Sequence, residues 1–203
     1  MKNISVFVSG SGSNLKAIYK SIESGEINAK IVLVISNKKC AGIHFANIKK
    51  ISTYIISQPK IGKKMIDLLD KHNIDLICLA GYLKLIPSLV IKKYRNRIVN
   101  IHPALLPKFG GKGFYGMHIH ESVIKANEKE SGVSIHFVNE EYDKGLIIAQ
   151  KVVKIMKNES AENLASRILR EEHKLYPKVI KYFCEDEEGF KKMIPLNLGS
   201  DEN

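Results

Sequence analysis

Residues 4–15, ISVFVSGSGSNL, run from an apolar stretch of strand length into a turn holding two glycines and on into a helical pattern. Met1 to Ser9 reads as a core strand, and the glycines of "SGSGSNL" (residues 9–15) free the backbone to turn tightly. Ser13 is placed to cap the following helix, so that the first helical amides face an anion. A strand, a glycine turn and a helix open a βαβ unit, and the rest of the chain follows that beginning.

Outward from this stretch, apolar runs alternate with amphipathic ones. Strands are expected at Ile4–Ser9, Ala29–Ser36, Thr53–Ser57, Leu76–Ala80, Ile98–Ile101, Val133–Val138 and Ile147–Ile155. Helices are expected at 13–24, 42–50, 60–72, 87–95, 118–128 and 160–184. In the last of these, Leu164, Ile168, Leu169, His173, Tyr176, Ile180 and Phe183 recur at helical spacing and read mostly as core. The pattern predicts a single α/β domain, a doubly wound and mostly parallel sheet flanked by helices, with its site at the carboxyl ends of the strands. The chain of 203 residues, 44% apolar, suffices for one core, and no linker, low-complexity run or repeat divides it. After about residue 185 it turns acidic and then polar, so residues 1–184 form the expected domain and 185–203 a polar tail.

"RIVNIHP" ends one of the strands, and Asn100 and His102, two apart, point to one face of it. Pro103 stops the strand. Four of the seven histidines (His102, His118, His120, His136) fall within 35 residues, which raises the odds above those of a single satisfied core histidine. A side-chain amide beside an imidazole can donate to a carbonyl oxygen that becomes an oxyanion while the imidazole handles protons. "VNEEYDKGLIIAQ" supplies a carboxylate, Asp143, in a turn closed by Gly145. No Ser or Cys in this region is paired to a base, so direct transfer between two bound substrates is the simpler chemistry.

The glycine turn at residues 9–15 is not a dinucleotide fingerprint: Leu15 holds the third glycine position, and the second strand ends in Ser36 and Asn37 rather than an acidic residue. Nor does G-K-[ST] follow it. A purely structural turn and a phosphate cradle both remain open at this point. The net charge of +11 invites a nucleic-acid partner, yet only four of the 32 basic residues are Arg and the lysines are scattered, so none is expected. Such a basic field favours anionic small molecules. Cys40, Cys78 and Cys184 form no C-x-x-C pair, and no metal site is expected. Apolar runs are too short for a membrane span and the amino terminus lacks a signal-peptide pattern, so the expected location is the cytoplasm.

"NIHPALLPKF", "SGSGSNL", "GVSIHFV" and "YDKG", in the family's order, give the chain its resemblance to the formyltransferases that use 10-formyltetrahydrofolate. The similarity spans roughly residues 2 to 184 and implies a formyltransferase-like Rossmann-type fold. It implies formyl transfer to the primary amine of glycinamide ribonucleotide in purine biosynthesis, with 10-formyltetrahydrofolate as donor and no metal. By the same resemblance Asn100, His102 and Asp143 match the catalytic trio, and Gly12, Ser13 and Asn14 match a cradle for the ribose phosphate. Gly116 falls at a further substrate contact, and Glu172 matches a residue that holds ribose hydroxyls. The "YLKLI" segment, with Leu83, Lys84, Leu85 and Ile86, matches the wall of the folate pocket, which Val138, Asn139 and Asp143 complete. The glycines and prolines of 103–117 are expected to fold over the substrate and limit water access.

Within that family, a tRNA-formylating relative would need a further carboxy-terminal domain, and a formyltetrahydrofolate hydrolase usually carries a domain ahead of the first strand; neither is expected here. Outside it stand a phosphate-binding module without catalysis and a nicotinamide oxidoreductase, the latter disfavoured by Leu15 and Asn37. Oligomeric state is open between monomer and homodimer.

Overall fold

The computed structural model describes residues 1–57 and 62–192. Seven strands, β1 (Lys2–Val8), β2 (Ala29–Ser36), β3 (Ser52–Ile55), β4 (Leu76–Leu79), β5 (Ile98–His102), β6 (Glu130–Phe137) and β7 (Ile147–Lys154), form one sheet in the order β3-β2-β1-β4-β5-β6-β7. The first five pair in parallel, whereas β6 lies antiparallel to β5 and β7 antiparallel to β6. Every strand expected from the sequence is present, with ends shifted by a few residues.

The helices are α1 (Ser13–Glu23), α2 (Ala41–Ile48), α3 (Gly62–Lys71), α4 (Ser88–Lys93), α5 (Met117–Lys125), α6 (Ala161–Glu185) and α7 (Glu187–Lys192). The expected start of α3 at 60–61 and the tail from 193 onward lie outside the described residues. Alternation along the strands divides the core in two. Ile4, Val6 and Val8 of β1, with Leu76 and Cys78 of β4, pack under α1, α2, α5 and α6, while Phe7, Ile77 and Leu79 face α3 and α4. A period of two in a sheet covered on both sides produces this split.

One local expectation is corrected and two are refined. Ser13 is not the helix cap: Gly12, at φ 69°, holds the N-cap of α1 and no side chain caps it. The reason is a close approach, since a Cβ on Gly12 would lie 2.7 Å from the Gly42 Cα. On α6, Leu169 is 36% exposed and His173 only partly buried, because the inward stripe runs through Leu164, Ile168, Glu172 and Tyr176 at a spacing of four. The acidic stretch after 185 is not uniformly polar in its packing: α7 buries Phe190 completely, edge-on to Phe137 and Phe183.

Candidate active site

β5 ends in the site. Asn100 and His102 stand on one face of it, as their spacing requires, with His102 4% exposed. Asp143 reaches them from the loop between β6 and β7, in the left-handed region at φ 55°, a conformation that Asp tolerates better than most side chains. Its Oδ1 accepts from Asn100 Nδ2 at 3.2 Å and its Oδ2 from the Gly111 amide at 2.9 Å. His102 Nδ1 lies 3.6 Å from Oδ2 of the same carboxylate. Asp143 therefore touches both of the other side chains that the sequence reading joined to it.

Electrostatics within this group follow from burial and charge. Burial pushes the His102 imidazole below its ordinary value; the Asp143 carboxylate and the Phe109 carbonyl oppose that shift without reversing it. The Phe109 carbonyl, 2.8 Å from Nε2, can only accept, so that nitrogen carries the proton in the neutral ring and Nδ1 presents its lone pair. For Asp143, burial alone would raise the pKa, but contacts with His136, His102 and the Gly111 amide outweigh it and hold the carboxyl below its ordinary value. An ionised carboxylate beside a neutral imidazole is a pair ready to accept one proton.

Two cavities meet at this point. The larger, about 500 Å³, is lined by Gly12, Ser13, Asn14, Gly116, Glu172 and Leu83 among others, and by all three of Asn100, His102 and Asp143. The smaller, about 50 Å³, is lined by Lys84, Leu85, Ile86, Val138 and Asn139, and shares Asn100 and Asp143 with the first. Leu83 thus lines the larger chamber, while its three neighbours line the smaller. Gly111 to Gly116 form one wall of the large cavity.

In the wall of the large cavity, the absence of a side-chain cap leaves the first amides of α1 without a side-chain acceptor, an arrangement suited to an anion. Across from them Glu172 is 6% exposed and accepts from Asn14 Nδ2 at 2.9 Å. Burial raises its pKa to about 7 against the opposing Asn14 hydrogen bond. A carboxyl that has lost its water and kept one partner is available to hydroxyl donors on a ligand. His118 is exposed and stacks on Phe114, and His120 is buried in α5; neither touches Asp143. Among the described residues no group of three or more His, Cys, Asp or Glu is arranged to hold a metal ion, and no helix is long and apolar enough to cross a membrane.

The sequence reading counted His136 among the clustered histidines but gave it no role; it is 2% exposed and touches both Asn100, at 3.0 Å, and Asp143, at 3.4 Å. Its sequence signal is faint: a histidine among apolar residues in a strand, recognisable as a partner of Asn100 only once the β5–β6 register is known.

Residues 2–180 match the family model described as formyl transferase. The chloroplastic phosphoribosylglycinamide formyltransferase of Arabidopsis thaliana is 45% identical over 91% of this chain and 66% of that protein. That of Haemophilus influenzae is 38% identical over 91% of this chain and 88% of its own length. The chain spans just under two thirds of the plant relatives it matches. Among solved structures, the phosphoribosylglycinamide formyltransferase of Bacillus halodurans superposes with a TM-score of 0.84 at 34% identity, covering 93% of this chain and 98% of that one.

Proposed function

The chain belongs to the formyl transferase family, and from that premise we propose that it moves the formyl group of 10-formyltetrahydrofolate to the primary amine of glycinamide ribonucleotide. The products are formylglycinamide ribonucleotide and tetrahydrofolate, in de novo purine biosynthesis. One observation carries the reading: two cavities, one lined by a helix N-terminus and a buried carboxyl, share a wall that includes Asn100 and Asp143 with Tyr82 and Tyr142. A ribose phosphate carrying a glycinamide suits the first cavity. The formyl end of a folate, entering past Lys84 to Ile86 and Val138 to Asn139, suits the second.

In this reading the amine nitrogen attacks the formyl carbon, a C–N bond forms, and the carbonyl pair moves onto oxygen, where the Asn100 amide donates a hydrogen bond. The attacking nitrogen gives up a proton to the Asp143–His102 pair. His102 takes it at Nδ1, and the carboxylate 3.6 Å away stabilises the imidazolium as it forms. The same proton passes to the departing folate nitrogen as its C–N bond breaks and the carbonyl reforms. Gly111 to Gly116 screen the chamber from water, which would otherwise hydrolyse the donor. The chain itself supplies donor, base and charge. The cytoplasmic location expected from the sequence goes with this reading, and the plant relatives are chloroplastic by name.

The test follows tetrahydrofolate release from 10-formyltetrahydrofolate, with and without glycinamide ribonucleotide, beside His102→Ala. Release that needs the amine and collapses in the variant supports the assignment. Release without the amine points to a hydrolase, and no release returns the chain to a ligand-binding role.

A further inference from the structure

The antiparallel register sets Asn100 directly opposite His136. Cross-strand partners on one face stand about 4.5–5.5 Å apart at Cβ, close enough for an amide and an imidazole to bond. Both nitrogens of this buried ring are engaged. Nδ1 lies 2.7 Å from the Phe137 carbonyl, which only accepts, so Nδ1 carries a proton. In the neutral ring Nε2 is then a lone pair; Asn100 Nδ2 donates to it at 3.0 Å, and Asp143 Oδ1, 3.4 Å from that ring nitrogen, takes the other hydrogen of the same amide.

A side-chain amide has two ends of similar shape, and nothing in its own geometry says which faces where. Here the surroundings decide. The same Asn100 nitrogen is 3.2 Å from Asp143 Oδ1. Turning the amide over would set its oxygen against the imidazole lone pair and a carboxylate oxygen together, two repulsions in a buried place. The nitrogen end is the one that fits.

We propose that His136 is a positioning residue for formyl transfer: held as its Nδ1–H tautomer by the Phe137 carbonyl, it fixes the Asn100 amide with its nitrogen toward Asp143. One amide hydrogen is anchored on the ring. The other lies at the wall between the two cavities, shared with Asp143, and is donated as a hydrogen bond to the formyl oxygen as that carboxylate pairs with the His102 imidazolium. Tautomer selection by an outer carbonyl is the device that orients histidine ligands in metal sites; here it orients an amide. The inference rests on Asn100 being the oxyanion donor described above. It adds the residue that makes it one.

The experiment compares His136→Phe and His136→Gln in the whole protein, with 10-formyltetrahydrofolate and glycinamide ribonucleotide as substrates. Phenylalanine keeps the ring and deletes the acceptor; glutamine can donate to Phe137 and still offer Asn100 an oxygen. The Phe variant should lose roughly a hundredfold in kcat with little change in either KM, the scale of a misplaced catalytic group. The Gln variant should recover most of it. Asn100→Ala combined with H136F should be no slower than Asn100→Ala alone. Heteronuclear NMR of the wild-type ring should show a protonated Nδ1 and a bare Nε2. Full turnover in H136F, an equal loss in the Phe and Gln variants, additive losses in the double variant, or a protonated Nε2 in the resting protein would each overturn the proposal. A wild-type protein that releases no tetrahydrofolate would defeat the proposed function instead, and the ring spectrum would still decide the tautomer.

Discussion

Gly145 is the residue whose replacement tests the site most directly. It lies two positions after Asp143, and a Cβ there would sit 1.7 Å from the Phe137 carbonyl oxygen, 2.7 Å from its carbon and 3.4 Å from His136 Nδ1. The obstacle is backbone at a strand end, and Phe137 is tied to this same loop by its amide bond to the Leu146 carbonyl at 2.9 Å. Side-chain carbons are essentially never found closer than 3.0 Å to such a neighbour, so Gly145→Ala must open the gap by about 1.3 Å. Either the loop carrying Asp143 retreats or the carbonyl that holds His136 does. Displacements near 1 Å at a reacting group cost about a hundredfold in rate, and overpacking costs about 1–3 kcal/mol in stability. The expected outcome is therefore a hundredfold fall in kcat, an unfolding free energy lower by that amount, and a nearly unchanged KM for glycinamide ribonucleotide, whose proposed phosphate cradle is at the start of α1. Turnover assays and urea titrations read the two losses. An alanine variant with wild-type kcat and an unmoved urea midpoint would refute the claim that this backbone contact holds the catalytic carboxylate.

Three further outcomes are expected. Glu172, with its pKa raised from 4.5 to about 7, binds a proton in the folded state that the unfolded chain has released, so its contribution to stability falls as pH rises from 4.5 and levels off above 7. Glu172→Gln should flatten that slope and gain up to about 3 kcal/mol above pH 7; an unchanged slope in urea titrations across the window would contradict the assignment. Because burial lowers the His102 pKa and the neutral ring is the working form in the proposed mechanism, the acid limb of the kcat/KM profile should lie below the ordinary imidazole value of 6.5. A limb above it would mean that another group titrates. The fully buried Tyr176 hydroxyl lies 2.9 Å from the Leu79 carbonyl and 3.1 Å from that of Val99. Tyr176→Phe should cost about 1–3 kcal/mol with kcat nearly unchanged, and a loss below about 0.5 kcal/mol would show that the hydroxyl is not structurally needed.

The strands were legible because each is a dense apolar run bounded by polar or glycine punctuation, and β5 stood out because Asn100, His102 and Pro103 interrupt such a run at its end. Asp143 was legible from its turn before Gly145. What pattern alone does not carry is register and direction. A strand buried on both faces reads alike whether its neighbour runs with it or against it, so neither the reversal at β6 nor the pairing of His136 with Asn100 was visible. Glu172 was nearer to view than the helical stripe assigned to α6 implied: it sits four residues from both Ile168 and Tyr176, an acidic residue on an apolar face. The cap at Gly12 escaped because the approach of Gly42 is a tertiary contact between residues thirty apart.

The change of strand direction between β5 and β6 also divides the labour of folding. Asn100 and His102 belong to the parallel part of the sheet, Asp143 and His136 to the antiparallel β6–β7 ribbon, and Glu172 to the helix that follows. The ribbon is a local structure that closes quickly, while its docking onto β5 joins distant segments and is slower. In the proposed mechanism a chain that has formed only its parallel half holds the amide and the imidazole without their carboxylate and has no turnover. Regain of turnover during refolding thus reports the joining of the two halves, and it lags behind the recovery of secondary structure.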